Sequence, residues 1–193
     1  FTEGFYGKPR IDMALLEEYH EGLLALSACL AGQLPRLLLA GDYEGAKAHA
    51  LHMRELFGPD GYYLELQDHG IPQQREAAGA IARLHRDTGI PLVVTNDAHY
   101  LTREDAATQD VLLCIQTGRS VEDPSRMRFE TQEFYIKSQE EMAALYPDFP
   151  EAVENTAKIA DLCNLDFQFG VYHLPEFKLP EGEADGDAYF ETL

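Results

Sequence analysis

The chain has 193 residues, 45% of them hydrophobic, and its 34 acidic and 15 basic residues give a formal net charge of −19. This length fits one domain, or one domain with part of another. A surface that binds nucleic acid by neutralising its phosphates would carry the opposite charge. If the protein binds DNA, we therefore expect the main binding surface to lie outside this chain, or bound metal ions to supply the positive charge. No apolar run approaches the ~20 residues of a membrane span, and the 3 widely spaced cysteines favour a reducing, cytoplasmic compartment.

Hydrophobic patterning predicts alternating helices and strands over the first half of the chain. In order, we expect a helix at 11–19, a buried strand at 23–29, a helix at 33–40, a helix capped by Asp42, a strand at 61–66, a helix from Pro72 that ends at Gly89, and a buried strand at 91–94. The Leu and Ala residues of 23–29 also allow a helix. The last strand, helix and strand have short connections, which predicts a βαβ unit with parallel strands.

Capping and turn residues divide the second half of the chain. A capping box at Thr102 predicts a helix through 115, and a second capping box at Ser138 predicts a helix that ends at Pro147. Between these helices we expect a short strand at 134–137. A helix at 150–163 and the start of a helix at 185–193 follow. Gly and Pro residues mark an extended connector after 164. We place a boundary near 148–165, which separates residues 1–150 from a helix and connector at 151–193.

The strand at 91–94 is followed by Asp97 and His99. Side chains alternate along a strand, so these two would point to the same side if the extended conformation continues. A carboxylate and an imidazole together are a plausible pair of metal ligands. The alternative is a helix-capping Asp followed by a surface His.

Polar residues with metal-binding side chains follow three of the predicted strands. They are Cys29, then Asp68 and His69, then Asp97 and His99. In parallel α/β architectures the carboxyl ends of the strands build the site, and Cys, His and Asp together fit Zn²⁺, or a mixture of Zn, Mn and Fe, better than Mg²⁺. A small core residue at Cys29 and a turn residue at His69 remain the alternatives.

Several segments carry a resemblance to a known family. Residues 21–32 (EGLLALSACLAG), 63–70 (YLELQDHG), 91–100 (PLVVTNDAHY) and 110–118 (DVLLCIQTG) resemble the PHP (polymerase and histidinol phosphatase) domain of bacterial replicative DNA polymerase III alpha subunits. Residues 160–167 (ADLCNLDF) and 172–175 (YHLP) resemble the connector from that domain into the polymerase palm. The resemblance implies an α/β fold that is part of a distorted (βα)₇ barrel with up to three metal ions at its C-terminal rim.

The resemblance also assigns residues. Cys29 falls on a Cys/His ligand position, and Asp97 and His99 fall on the closing Asp-x-His motif, so we expect these three to converge within metal-ligand reach. Asp68 and His69 match the pattern without matching family ligands, which leaves them as candidates for supporting contacts or for substrate contacts.

The chain departs from the family at its start and its end. No His-x-His motif occurs, and the palm aspartates are absent, so the chain resembles the C-terminal part of a PHP domain and the start of the next domain. Phe1 is not a Met, and residues 185–193 lack a C-cap signal. We therefore expect both ends to lie inside a longer polypeptide and the isolated segment to be poorly stable.

The resemblance implies metal-assisted hydrolysis of phosphodiesters, as a 3′→5′ proofreading exonuclease, within a template-directed DNA polymerase. The implied cofactors are Zn²⁺, with Mn²⁺ or Fe²⁺ as alternatives, and Mg²⁺ in a palm outside this chain. Implied partners are the rest of the alpha subunit, primer–template DNA, a sliding clamp, a clamp loader and a separate proofreading subunit, with no membrane. A structural docking domain and a free-standing PHP-type phosphatase are the alternatives, and the polymerase-like connector argues against the latter.

Overall fold

The computed structural model describes residue 4 and residues 7–172, 178–182 and 185–192. The chain divides into two compact units, Phe1–Leu162 and Cys163–Leu193. Within these residues the helices are α1 Met13–Tyr19, α2 Gln33–Leu39, α3 Tyr43–Phe57, α4 Pro72–Thr88, α5 Ala106–Thr117, α6 Gln139–Leu145, α7 Pro150–Leu162 and α8 Gly186–Glu191, and the strands are β1 Ala25–Leu26, β2 Tyr62–Leu66 and β3 Leu92–Val94. None of the helices in the described residues has the length and apolar character needed to cross a membrane.

The three strands form one parallel sheet in the order β1–β2–β3. Alternate side chains of β2 and β3 face the helices and are buried in the core: Tyr62, Leu64, Leu66, Leu92 and Val94. The predicted βαβ unit is thus confirmed as β2–α4–β3. The fold is mixed α/β with a small parallel sheet, and the complete seven-stranded barrel stays a prediction.

Helix ends follow the predicted capping residues. The Asp42 carboxylate accepts a hydrogen bond from the Gly45 N–H at 2.9 Å at the start of α3. Gly89 ends α4 in the left-handed conformation, at φ 71°. Glu141 and Ser138 form the reciprocal capping box of α6. The box at Thr102 opens a 3₁₀ turn, Arg103–Asp105, that leads into α5.

Two strand predictions need correction. The strand expected at 23–29 is reduced to Ala25–Leu26, and neither residue is fully buried, because Ala28 takes φ 66° and turns the chain away from the sheet. The strand expected at 134–137 is a single bridge between Tyr135 and Tyr100, so these residues hold the loop after β3 without extending the sheet.

Helix α7 belongs to the first unit. Its buried Asn155 donates a hydrogen bond from Nδ2 to the Leu92 carbonyl at 2.7 Å, which pins the helix to β3. The compact units divide between Leu162 and Cys163, so this helix stays with the sheet. Assignment of the two ranges to a PHP domain and a palm connector stays a prediction.

The second unit contains one described helix. Asp185 caps α8 by accepting hydrogen bonds from the N–H groups of Asp187 and Ala188, at 3.0 and 3.4 Å. Residues 173–175 of the predicted connector motif, and Leu193 at the end of the predicted helix, lie outside the described residues.

Candidate metal centre

The loop after β3 brings Asp97 and His99 together. The Nδ1 atom of His99 lies 3.9 Å from a carboxylate oxygen of Asp97 and 2.7 Å from the Asp97 backbone carbonyl oxygen. A carbonyl oxygen only accepts, so Nδ1 carries the proton and Nε2 keeps its lone pair. No partner of Nε2 occurs among the residues that the structure describes. The Asp97 side chain is 47% exposed.

The extended path expected through Asp97 is wrong. Asp97 has φ 43°, in the left-handed region that few residues other than glycine adopt. The backbone therefore turns at this residue, and the two side chains meet through the turn and not through strand alternation.

Two phenylalanine rings pack against the His99 ring. Its centroid lies 4.7 Å from that of Phe129 and 5.8 Å from that of Phe134. The His99 N–H also donates to the Phe134 carbonyl at 2.7 Å. The ring is thus fixed on one side while 37% of the side chain stays exposed.

His69, at the end of β2, has a different environment. It is fully buried and stacks on Phe134 with centroids 4.0 Å apart. Its Nε2 donates to the Asn96 carbonyl at 2.7 Å, and its Nδ1 accepts from the Gln74 amide at 2.8 Å. Both ring nitrogens are occupied, so this neutral histidine has no lone pair left for a metal ion.

Asp68 has a local structural role. One carboxylate oxygen accepts from the Gly70 N–H at 2.8 Å and the other from Arg75 Nε at 3.2 Å. These contacts form a turn of the kind that Asp side chains favour. Asp68 and His69 therefore order the end of β2.

Cys29 sits in the tight turn after β1. Its carbonyl accepts from the Gly32 N–H at 2.8 Å, and a Cβ at Gly32 would lie only 2.7 Å from the Ser27 carbonyl oxygen. Cys29 is exposed. Within the described residues, no three His, Cys, Asp or Glu side chains form a group that could hold a metal ion. The structure thus pairs Asp97 with His99 and does not group Cys29 with them; the three-residue assignment stays a prediction.

A buried polar group, not predicted from the sequence, lies on the opposite face of the sheet from the helices. Glu65 is 8% exposed, and its carboxylate accepts hydrogen bonds from Gln67 at 3.0 Å and from the Thr95 hydroxyl. Its backbone N–H donates to the Ser27 hydroxyl at 2.8 Å. One signal was visible beforehand, because Glu65 interrupts an otherwise apolar and aromatic strand.

A buried lysine beside the loop after β3 was likewise not predicted. The Lys137 side chain is 3% exposed, and burial lowers the pKa of its ammonium group, while Glu133 opposes this shift. Its Nζ donates to Asn96 Oδ1 at 3.0 Å and to the Glu133 carbonyl. It lies 4.4 Å from the centre of the Tyr135 ring, a cation–π distance.

Comparison with known proteins shows what the chain is similar to. Residues 1–69 match the PHP domain family. The chain is 47% identical to DNA polymerase III subunit alpha of Treponema pallidum and 48% identical to that of Borreliella burgdorferi, over 100% of the chain and 16% and 17% of those proteins. It is 40% identical to the Thermus aquaticus subunit over 96% of the chain and 16% of that protein. The chain is related over its length to bacterial DNA polymerase III alpha subunits.

The predicted resemblance to DNA polymerase III alpha subunits is confirmed by these matches. The chain spans about one sixth of the length of the curated relatives that it matches. Cys29 and His69 lie inside the segment that matches the PHP family, whereas Asp97 and His99 lie beyond it. The roles of Asp97 and His99 therefore rest on their own geometry.

Proposed function

We propose that this chain is a segment of a DNA polymerase III alpha subunit and that it contributes Asp97 and His99 to a metal-dependent phosphoesterase site. One observation carries the proposal: the Nδ1–H of His99 donates to the Asp97 backbone carbonyl at 2.7 Å, which leaves the lone pair of Nε2 for a metal ion, and the Asp97 side chain is 47% exposed. Histidines that bind metals commonly have the other ring nitrogen fixed in this way.

The donor atoms of the pair fit a borderline divalent cation. An imidazole nitrogen suits Zn²⁺, Mn²⁺ and Fe²⁺, and the carboxylate adds the negative charge that a divalent cation needs. Cys29, at the end of a strand in the same parallel sheet, is the proposed third residue. When bound, a metal of this class supplies a water nucleophile at neutral pH and stabilises the charge that develops on a phosphodiester.

The chain's own residues position this chemistry. Asp97 and His99 provide donors at the carboxyl end of a parallel strand, where α/β folds place their sites. Phe129 and Phe134 exclude water from one side of the imidazole. The substrate we propose is a 3′ DNA terminus, so the activity is 3′→5′ proofreading. Polymerisation belongs to a Mg²⁺ site in the palm outside this chain.

Measurement of metal content and exonuclease activity tests the proposal. Asp97→Asn in the full polymerase keeps the side-chain shape and removes the anionic donor, so bound zinc and hydrolysis of a mismatched 3′ end should both fall by about tenfold or more. Extension of a matched primer should continue. Asp161→Asn, which alters an exposed carboxylate on α7, is the matched control and should leave both unchanged. Unaltered nuclease and metal content in Asp97→Asn would exclude Asp97 from the site.

A second function is favoured by a different observation. His69 is a fully occupied structural residue, and the described residues contain no three-ligand group, so the domain could serve the polymerase as a scaffold or docking surface. Full-length protein without bound metal and without nuclease activity would support this candidate. The sliding clamp, the clamp loader and a separate proofreading subunit are the proposed partners.

A further inference from the structure

Lys137 is an unusual residue to find buried beside the candidate site. Removal of an ammonium group from water is unfavourable unless hydrogen bonds and opposite charge compensate. Here Asn96 and the Glu133 carbonyl accept from Nζ, and the Glu133 carboxylate lies 3.5 Å away. With 3% of its side chain exposed, Lys137 acts on the site through the groups that accept hydrogen bonds from its Nζ.

The neighbour that Lys137 fixes is Asn96, the residue immediately before Asp97. The Asn96 side chain accepts from Lys137 through Oδ1 and donates from Nδ2 to the Tyr135 carbonyl. Its backbone carbonyl accepts from His69 Nε2 at 2.7 Å. Side chain and backbone of Asn96 are therefore both held, from the 134–137 segment and from the end of β2.

Asp97 needs this support because its backbone is strained. A backbone φ of 43° is sparsely populated by residues other than glycine. Such a conformation persists only where surrounding contacts hold it. Asn96 fixes the chain before the turn, and the hydrogen bond from the His99 N–H to the Phe134 carbonyl fixes it after the turn. The contact between Asp97 and His99 depends on both supports.

We propose that Lys137 is a positioning residue: through its hydrogen bond to Asn96 it holds the Asp97 turn in the conformation that presents Asp97 and His99 to a divalent metal ion. This inference rests on the proposed function, since it takes Asp97 and His99 as the metal-binding pair. It adds a residue that contacts neither the metal ion nor the substrate.

Zinc affinity of the full-length protein, measured by competition with a chromophoric chelator, tests the inference. Lys137→Met retains most of the side-chain volume and removes the hydrogen bond to Asn96. We expect zinc binding at this site to weaken on the order of tenfold, the effect typical of losing a supporting contact around a metal ligand. The absorption spectrum of the cobalt-substituted site should shift as well, because the ligand geometry changes.

The chain offers a matched control at the same strand. Lys158 donates to Asn155 Oδ1 at 2.9 Å, and Asn155 contacts β3 at Leu92, away from the Asp97 turn. Lys158→Met also breaks a lysine–asparagine hydrogen bond, and it should leave zinc affinity and the cobalt spectrum unchanged. If Lys137→Met and Lys158→Met both bind zinc as the wild type does, the inference is wrong.

Two further variants separate the possible failures. His99→Ala should abolish specific zinc binding; if it does not, the proposed function fails, whatever Lys137 does. Asn96→Ala removes the other end of the Lys137 hydrogen bond, and Lys137→Met should have little additional effect in that background. Should Lys137→Met be unfolded by circular dichroism, Asn96→Ala alone must show the weakened zinc binding, and wild-type affinity there would overturn the inference.

Discussion

Two histidines follow neighbouring strands of the sheet, and their surroundings give them opposite chemistry. His69 is fully buried with a partner on each ring nitrogen. His99 is partly exposed, has its Nδ1 fixed by a carbonyl and leaves Nε2 without a partner in the described part of the chain. Neither the residue type nor the position after a strand distinguishes the two. The hydrogen bonds decide which histidine is available to a metal ion.

His69→Phe tests the structural role of His69. The new ring can keep the stack on Phe134 but leaves the Asn96 carbonyl and the Gln74 amide without their partner. An unsatisfied buried group costs about 1–3 kcal/mol, so we expect the end of β3 to open more easily. Hydrogen–deuterium exchange of peptides covering 92–100 in the full-length protein should be about tenfold faster.

The matched control for His69→Phe is His99→Phe, measured with a metal chelator present. His99 is partly exposed and makes a single side-chain hydrogen bond within the described residues, so its replacement should change exchange much less. Equal acceleration in the two variants would contradict the structural role of His69.

Sequence patterns placed Asp97 and His99 near each other but did not predict the turn that joins them. An apolar run of four residues predicts β3, and the polar residues that come directly after it must lie at the end of that strand. This is why the sequence places Asp97 and His99 close together. The turn at Asp97 and the hydrogen bond from Lys137 to Asn96 could not be predicted. Both depend on contacts between residue 96 and residues 133–137, which are about 40 positions apart in the chain. Local patterns carry no information about such pairings.

At the scale of elements, capping residues predicted helices more reliably than apolar runs predicted strands. Helix caps act within four residues, so Asp42, Ser138 and Asp185 identify their helices directly. A strand needs a partner elsewhere in the chain. The run at 23–29 is apolar enough to form a longer strand, but the turn at Ala28 ends its pairing with β2.

Strand β2 carries a buried hydroxyl that makes the sheet sensitive to alkaline pH. Tyr62 is 1% exposed, its hydroxyl has no hydrogen-bond partner among the residues that the structure describes, and burial raises its pKa well above the usual range. The folded protein thus keeps this proton at pH values where an unfolded tyrosine, with a pKa of about 10, has lost it. The stability linked to Tyr62 is fully present below that pH and is lost as the pH rises above it.

Tyr62→Phe should therefore shift the alkaline unfolding midpoint to higher pH, as measured by circular dichroism during titration. At neutral pH the variant should be at least as stable as the wild type, because it removes a buried polar atom without a partner. Tyr172→Phe, at a side chain that is 89% exposed, is the control and should not move the midpoint. An unchanged midpoint in Tyr62→Phe would show that the Tyr62 hydroxyl does not limit alkaline stability.

At the scale of the whole molecule, the resemblance to a polymerase family supplied what residue patterns could not. Composition and patterning predicted an α/β fold with parallel strands, which the sheet confirms. They could not identify a polymerase, because a net charge of −19 is unlike that of a DNA-gripping surface.

The two compact units differ in how their backbone is protected, and limited proteolysis should reveal this. Residues 163–172 are exposed and contain no helix or strand, and Phe167 and Phe169 are 73% and 92% exposed. Exposed chain without regular structure is the preferred site of proteolytic cleavage. Chymotrypsin, followed by mass spectrometry over time, should cut after Phe167, Phe169 or Tyr172 before it cuts at the buried Tyr63 or Tyr135.

The first product should therefore retain the whole sheet and α7. Replacement of Phe167 and Phe169 by alanine should slow this first cut without changing cleavage elsewhere, because it removes the recognised side chains and leaves the backbone as exposed as before. An earliest cut inside 62–100, between the core strands, would mean that the parallel sheet opens more readily than the exposed segment, and the division of the chain at Leu162 would have to be abandoned.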